Sequence, residues 1–195
     1  MKILALQGSP RAAGNTDTVL KMVLASAEAA GAKVETVHIA KLEALRGCLE
    51  CFGCQKTRDK PGCVVKDDMR AVMKKAMQAD VIVWATPVFC WSPAWPLKIV
   101  MDRFFCTFKF DEDHKVTSLL KGRRMAAVIT SGGGKDDGAD LVTETLKRTA
   151  KFSQAKWLGA LVAANAESPK RLRADQALAR RAAAFGKRLA KKTPG

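Results

Sequence analysis

Short apolar runs alternate with longer amphipathic segments along this chain of 195 residues. Apolar runs that end in Gly or Pro predict buried strands, whereas apolar residues spaced three or four apart predict helices that face a core. The predicted strands are residues 2–7, 33–39, 81–86, 125–130 and 157–164. The third strand is expected to stop at Pro87. The predicted helices are residues 17–30, 67–78, 93–105, 140–152 and a C-terminal segment, 171–192.

Strands that alternate with helices predict a parallel sheet covered by helices on both faces. Five such units in a chain of this length favour an α/β, flavodoxin-like fold with strand order 2-1-3-4-5 over the six-stranded dinucleotide fold. The apolar content of 48% suffices for a sizeable core, and no linker divides the chain. We therefore expect one domain over residues 1–195.

The distribution of apolar residues along the chain also indicates the cellular compartment. No apolar stretch approaches the roughly 20 residues that span a bilayer, and no signal-peptide pattern opens the chain. A cytoplasmic protein without membrane association is therefore expected. In that reducing compartment the six cysteines are expected to be thiols or metal ligands rather than disulfides.

The chain is strongly basic, with a net charge of +15. Nine Lys or Arg residues and one acid lie between residues 168 and 195. Such a balance favours anionic partners, but the Ala-rich helical spacing indicates a terminal helix with a solvated basic face. No recognition motif accompanies it, so nucleic-acid binding is not expected.

The loop after the first strand, GSPRAAGNT (residues 8–16), has the composition of an anion site. In open α/β sheets the ligand lies at the carboxyl ends of the strands, here between the first and third. This loop precedes a helix and carries side chains that bind a single phosphate well: Ser9, Arg11, Asn15 and Thr16. Neither the Walker pattern nor the Gly-x-Gly dinucleotide fingerprint is present. A turn without a ligand is the alternative.

Two further loops are expected at the same edge. Residues 87–91 (PVFCW) include Phe89 and Trp91, which suit a flat apolar ring, although core packing would explain either aromatic alone. Residues 131–134 (SGGG) allow close backbone approach. One phosphate, one ring and a glycine-lined edge together describe a mononucleotide cofactor of the flavin type.

These three loops, in this order, resemble the NAD(P)H-dependent FMN reductase superfamily, and the likeness extends from residue 1 to about 134. The resemblance implies non-covalently bound FMN whose phosphate contacts the four residues named above. It implies that the flavin ring lies along Pro87, Val88, Phe89, Cys90 and Trp91, with Ser131, Gly132 and Gly133 on its other edge. It also implies a homodimer or homotetramer with residues 98–103 near the subunit contact.

The segment CLECFGCQKTRDKPGC (residues 48–63) resembles the iron–sulfur flavoprotein branch of that superfamily. The close run of Cys48, Cys51 and Cys54, followed by Cys63, suits a 4Fe-4S cluster better than zinc, whose ligands usually come in two separated pairs. Eight residues separate Cys54 from Cys63, which is longer than the resemblance leads us to expect. Free or redox-active thiols, zinc and packing therefore stay open beside the cluster. Because the segment follows the second strand, it is expected at the same sheet edge as the FMN.

The expected activity is that of an FMN-dependent NAD(P)H oxidoreductase. Electrons from a nicotinamide nucleotide would pass to a quinone, flavin, aromatic or protein acceptor. The cofactor performs this chemistry, so no catalytic side chain is assigned. The first alternative is a flavodoxin-type electron carrier without NAD(P)H activity, which the basic charge disfavours because such carriers are usually acidic. The second is a nucleic-acid or regulatory binding module that uses the basic tail.

Overall fold

The computed structural model describes residues 1–192, and a parallel β-sheet forms its centre. In chain order the strands are β1 (Lys2–Gln7), β2 (Lys33–His38), β3 (Val81–Phe89), β4 (Ser92–Pro93), β5 (Phe108–Phe110), β6 (Val116–Ser118), β7 (Arg124–Thr130) and β8 (Lys156–Ala163). The central order is β2-β1-β3-β7-β8, and each of these neighbouring pairs is parallel. This confirms the flavodoxin-like order 2-1-3-4-5.

Helices cover both faces of the sheet, as predicted. They are α1 (Asn15–Ala29), α2 (Met69–Gln78), α3 (Trp95–Arg103), α4 (Asp140–Phe152), α5 (Pro169–Ala174) and α6 (Gln176–Ala190). The apolar faces of α1, α5 and α6 pack on one side of the sheet and those of α2, α3 and α4 on the other. Strand β1 supplies both cores because successive side chains alternate: Ile3 points to the first and Leu4 to the second.

The third strand does not stop at Pro87, so that expectation was wrong. Pro87 pairs with Thr130 of β7, and the strand continues to Phe89 before it turns back into the antiparallel β4. Strand β1 pairs with β3 only as far as Ala85, so Pro87 has no pairing partner in β1. A proline is tolerated there because the N–H that it lacks is not needed by a neighbouring strand.

Two other features differ from the sequence-based expectation. The short antiparallel pair β5–β6 lies within residues 108–118, where no strand was predicted. The C-terminal helical segment is divided at Asp175, whose Oδ1 accepts a hydrogen bond from Leu178 N at 2.9 Å and so caps α6. Among residues 1–192, no helix has both the length and the apolar character needed to cross a membrane.

Candidate functional site

Three loops meet at the carboxyl edge of the sheet, where β1 and β3 are neighbours. Gly8 N donates to Ala85 O at 2.7 Å, which holds the chain close to β3 as it leaves β1. A Cβ atom on Gly8 would lie 2.5 Å from Leu97 Cβ of α3. Residue 8 therefore has to be glycine for α3 to pack over the start of this loop.

The first loop, residues 8–16, is held by a side chain that the sequence analysis overlooked. Gln7 is fully buried, and its Oε1 accepts a hydrogen bond from Ser9 N at 3.0 Å. The Gln7 Nε2 atom has no hydrogen-bond partner among the described residues. The only signal in the sequence is that a polar residue ends the apolar run KILALQ.

The loop leads into the N-terminus of α1, where the first backbone N–H groups of the helix are free to bind a ligand. The first helical hydrogen bond runs from Thr18 N to Gly14 O at 3.0 Å. The N–H groups of Asn15, Thr16 and Asp17 therefore have no carbonyl partner inside the helix. Free N–H groups at the positive end of a helix dipole attract an anion.

The four predicted phosphate residues differ in what they can offer. Asn15 Nδ2 donates to Ala166 O at 2.6 Å, and the Thr16 hydroxyl is hydrogen-bonded to that of Thr130 at 2.7 Å. These two side chains therefore join α1 to β7 and to the loop after β8. Ser9 is buried and its Oγ accepts from Arg11 N at 3.2 Å, which leaves the hydroxyl proton available. The Arg11 side chain is exposed.

The second loop is a β-hairpin with a strained tip. Val88 pairs with Pro93 and Phe89 with Ser92, so that Cys90 and Trp91 form a two-residue turn. Both have positive φ angles, 45° and 58°, which glycine and asparagine usually adopt in such turns. Phe89 is 44% exposed and Trp91 is 61% exposed, so core packing is wrong as an explanation for either aromatic side chain.

The third loop, residues 131–134, is fastened to the chain that follows β8. Ser131 N donates to Ala163 O at 3.1 Å, and Asn165 N donates to Gly133 O at 3.0 Å. The space beside Gly132 is open. Free backbone donors, exposed aromatic side chains and bare glycine backbone thus surround one sheet edge, and these residues fit a group with a phosphate and a flat ring.

The four cysteines of residues 48–63 line one small cavity together with Cys106, which is buried. Its other lining residues include Arg103, the last residue of α3, and Phe105, two residues beyond it. No residue of the three loops described above lines this cavity. Arg103 is the last residue of α3, which begins at Trp95 just after β4; the expected position of the cysteine segment beside the FMN edge stays a prediction.

The cysteines are not arranged as a ligand set. Cys48 and Cys51 are exposed, Cys54 is buried and Cys63 is intermediate. In the described part of the chain, no three His, Cys, Asp or Glu side chains are grouped so that they could hold a metal ion. The residues as they lie therefore do not fit a 4Fe-4S cluster.

Protein contacts hold the cysteine segment in place. Arg103 and Asp67, each with 2% of the side chain exposed, form a two-pronged ion pair with N–O distances of 2.7 and 3.0 Å. The buried Lys109 donates from Nζ to Cys54 O at 2.9 Å and to Pro61 O at 3.2 Å. Both cations are thus paired with residues of the segment or close to it, although the buried Nε of Arg103 has no partner among the described residues.

Burial dominates the ionisation of the thiols in this cavity. It raises the pKa of Cys106 to about 12. It also raises the pKa of Cys54, although a hydrogen bond from Gln55 and the charge of Lys109 oppose the rise. Both thiols are therefore protonated at neutral pH, and a protonated thiol is not the nucleophile of disulfide exchange.

Known proteins resemble this chain in sequence and in fold. Residues 1–168 match the model of a family described as NADPH-dependent FMN reductase. An iron–sulfur flavoprotein of Methanocaldococcus jannaschii is 31% identical over 146 residues, which cover 75% of this chain and 69% of the relative. One of Methanosarcina thermophila is 29% identical over 146 residues, covering 75% and 71%. A solved structure of an FMN-dependent NADH-azoreductase from Bacillus anthracis, in complex with FMN, aligns with a TM-score of 0.73 at 19% identity, covering 97% of this chain and 99% of that one.

Proposed function

Because this chain belongs to the NADPH-dependent FMN reductase family and is an NAD(P)H-dependent FMN oxidoreductase, we propose that it acts as a single FMN-binding domain that reduces a quinone, flavin, aromatic or protein acceptor. The observation that carries the proposal is the convergence of three loops at one sheet edge. Each loop comes from a different strand, and together they offer both an anion site and an apolar surface. FMN combines the two chemical groups that such an edge would bind.

The phosphate is assigned to the first loop. Its partners would be the backbone N–H groups of Asn15 and Thr16, the Ser9 hydroxyl and the Arg11 guanidinium. The free donors at the start of α1 support this assignment. The Asn15 and Thr16 side chains would act indirectly, because their hydrogen bonds to Ala166 and Thr130 fix the direction of those donors.

The flavin ring is assigned to the hairpin and the glycine loop. Residues 87–91 would run along the ring and residues 131–133 would approach its other edge. The exposure of the Phe89 and Trp91 side chains supports this assignment, as does the open space at Gly132. Bound FMN supplies the hydride and electron chemistry. The protein's part is to bind and orient the nucleotides and to keep the acceptor near the ring.

The test compares FMN with riboflavin, which lacks the phosphate. We expect the purified apoprotein to bind FMN more tightly than riboflavin and, once loaded, to oxidise NADH or NADPH with a quinone acceptor. Arg11→Ala should weaken FMN binding by about tenfold, because it removes a charge-assisted hydrogen bond, and should leave riboflavin binding unchanged. Arg180→Ala, an equal charge loss at an exposed position of α6, is the control.

The outcomes of this test separate the alternatives. Equal affinity for FMN and riboflavin would rule out the phosphate assignment. Tight FMN binding without reduction by NADH or NADPH would instead favour the flavodoxin-type electron carrier. A protein that binds neither FMN nor riboflavin would refute the whole proposal.

A homodimer or homotetramer is also proposed. The exposed aromatic side chains of Phe89, Trp91 and Trp95 lie on and beside the hairpin, and an apolar patch of this kind favours a subunit contact. Arg103 cannot contribute to such a contact, since its side chain is buried against Asp67. Light scattering coupled to gel filtration tests this, and a monomer at micromolar concentration would refute it.

For the cysteine segment, the similarity to iron–sulfur flavoproteins suggests an iron–sulfur centre. Cys48, Cys51, Cys54 and Cys63 would have to move together to bind one, so no electron-transfer step is assigned to them. Iron and acid-labile sulfide analysis of anaerobically purified protein decides the matter. About four irons per chain would make these cysteines ligands, whereas iron-free protein would leave them as thiols.

A further inference from the structure

A hydrogen bond joins the hairpin to the loop on the opposite side of the proposed flavin site. Trp91 Nε1 donates to Asp137 Oδ1 at 3.2 Å. Asp137 belongs to an irregular helical turn, Lys135–Ala139, that directly follows the glycine loop. The bond therefore links two segments that would contact different edges of the same ring.

Two glycines are needed for this contact. Gly138 is buried with a φ angle of 87°, and a Cβ on it would lie 2.9 Å from Trp91 Cδ1 and 3.0 Å from Val88 Cγ1. A Cβ on Gly133 would lie 2.0 Å from Asp137 Oδ2. The indole ring thus packs on the backbone of one glycine, and the carboxylate occupies the space that a side chain on the other would fill.

The hairpin tip needs such support because its backbone is strained. Cys90 and Trp91 are consecutive non-glycine residues whose backbones both lie in the left-handed region, which is unfavourable for any residue with a Cβ atom. Strain of this kind persists only where the surroundings hold it. The hydrogen bond to Asp137 and the packing on Gly138 are contacts that can do so.

We propose that Asp137 is a positioning residue of the flavin site. By accepting the Trp91 N–H, it holds the hairpin tip in its strained conformation and fixes the spacing between the hairpin and the glycine loop. The inference rests on the proposed function, since the benefit is a site already shaped for FMN. Pre-organisation of this kind raises affinity because the loops need not be ordered during binding.

The test measures FMN affinity by flavin fluorescence in five variants. Asp137→Ala and Trp91→Phe should each weaken binding by about fivefold to tenfold, the loss expected for one hydrogen bond. The double variant should bind no more weakly than either single variant, because both remove the same bond. Asp137→Asn keeps an acceptor oxygen and should bind within about twofold of the wild type. Asp136→Ala removes the same charge one residue away, at an exposed position, and should have no effect.

A second readout keeps the inference independent of the cofactor. In the apoprotein, amide hydrogen exchange at residues 90–92 should be several times faster in Asp137→Ala than in the wild type or in Asp136→Ala. Unchanged exchange there, or unchanged FMN affinity in Asp137→Ala, would overturn the role assigned to Asp137. A wild-type protein that fails to bind FMN, but whose Asp137→Ala variant exchanges faster, would refute the proposed function and leave the structural link intact.

Discussion

The buried ion pair between Asp67 and Arg103 offers the sharpest test of how the cysteine segment is held. Asp67 lies just before α2, and Arg103 is the last residue of α3. Asp67→Asn keeps the shape and one acceptor oxygen but leaves the guanidinium buried without its counter-ion. Arg103 NH1 would retain only its neutral bond to Arg46 O, at 2.8 Å.

The expected loss follows from burial. Breaking a buried pair by removing one charge costs about 3–5 kcal/mol, because the remaining charge is desolvated without compensation. The neighbouring pair, Lys98 with Asp102, has an equally short N–O distance of 2.7 Å, but 54% and 45% of its side chains are exposed. Asp102→Asn is therefore a matched control and should cost no more than about 0.5 kcal/mol.

The assay is urea unfolding followed by tryptophan fluorescence, with the free energy of unfolding compared among the variants. A loss below about 1 kcal/mol in Asp67→Asn, or an equal loss in Asp102→Asn, would refute the reasoning from burial. Replacing both partners, as Asp67→Leu with Arg103→Met, should recover most of the stability, since no uncompensated charge is left buried. A double variant as unstable as the single one would mean that packing, rather than charge, is responsible.

Three further predictions concern pH, the first loop and the thiols. Burial acts to raise the pKa of Asp67, but the hydrogen bonds that its carboxylate accepts from Arg103 and the backbone outweigh burial and lower this pKa below 3.8. The stability that the Asp67 carboxylate contributes should therefore be present above pH 3.8 and be lost as pH falls through the folded-state pKa. The free energies of unfolding of the wild type and Asp67→Asn should converge in acid. Gly8→Ala should cost about 1–3 kcal/mol in thermal unfolding through overlap with Leu97, whereas Gly47→Ala, with open space around it, should change stability by less than about 0.5 kcal/mol; equal effects would contradict the close packing of α3. Ellman's reagent at pH 8 should label the three exposed thiols first and reach Cys106, whose pKa is about 12, only as the protein unfolds; early labelling of Cys106, located by mass spectrometry, would contradict its burial.

The sheet could be predicted from the sequence because its three central strands, β1, β3 and β7, are buried on both faces over most of their length. Strand β7, for example, has all seven residues buried, and its sequence is a short, nearly continuous apolar run. A helix of that length would need apolar residues on one face only, so such a run predicts a buried strand. Five such runs alternate with helical segments. Because connections between parallel strands are right-handed and short, few strand orders are then possible. The places of the three edge loops then followed, since each comes directly after a predicted strand.

Contacts between residues far apart in the chain could not be predicted in the same way. Trp91 and Asp137 are separated by 46 residues, and Asp67 and Arg103 by 36. Each partner alone has the composition of an ordinary loop or helix end. The hairpin at β4 was missed for a local reason. Proline usually ends a strand, and Pro87 is acceptable within β3 because it has no pairing partner in β1.

The contacts around the cysteine segment bear on how its metal content should be tested. Small metal-binding motifs often unfold without their ion, so that folding itself reports occupancy. Here the segment is anchored from two sides, by Asp67 to Arg103 and by the Cys54 and Pro61 carbonyls to Lys109. These anchors use a carboxylate and backbone oxygens rather than sulfur atoms. The loop should therefore keep its fold when a chelator is added, and a stable apoprotein would carry no information about a cluster. Direct iron and sulfide analysis, rather than thermal stability, is the measurement that distinguishes ligand cysteines from free thiols.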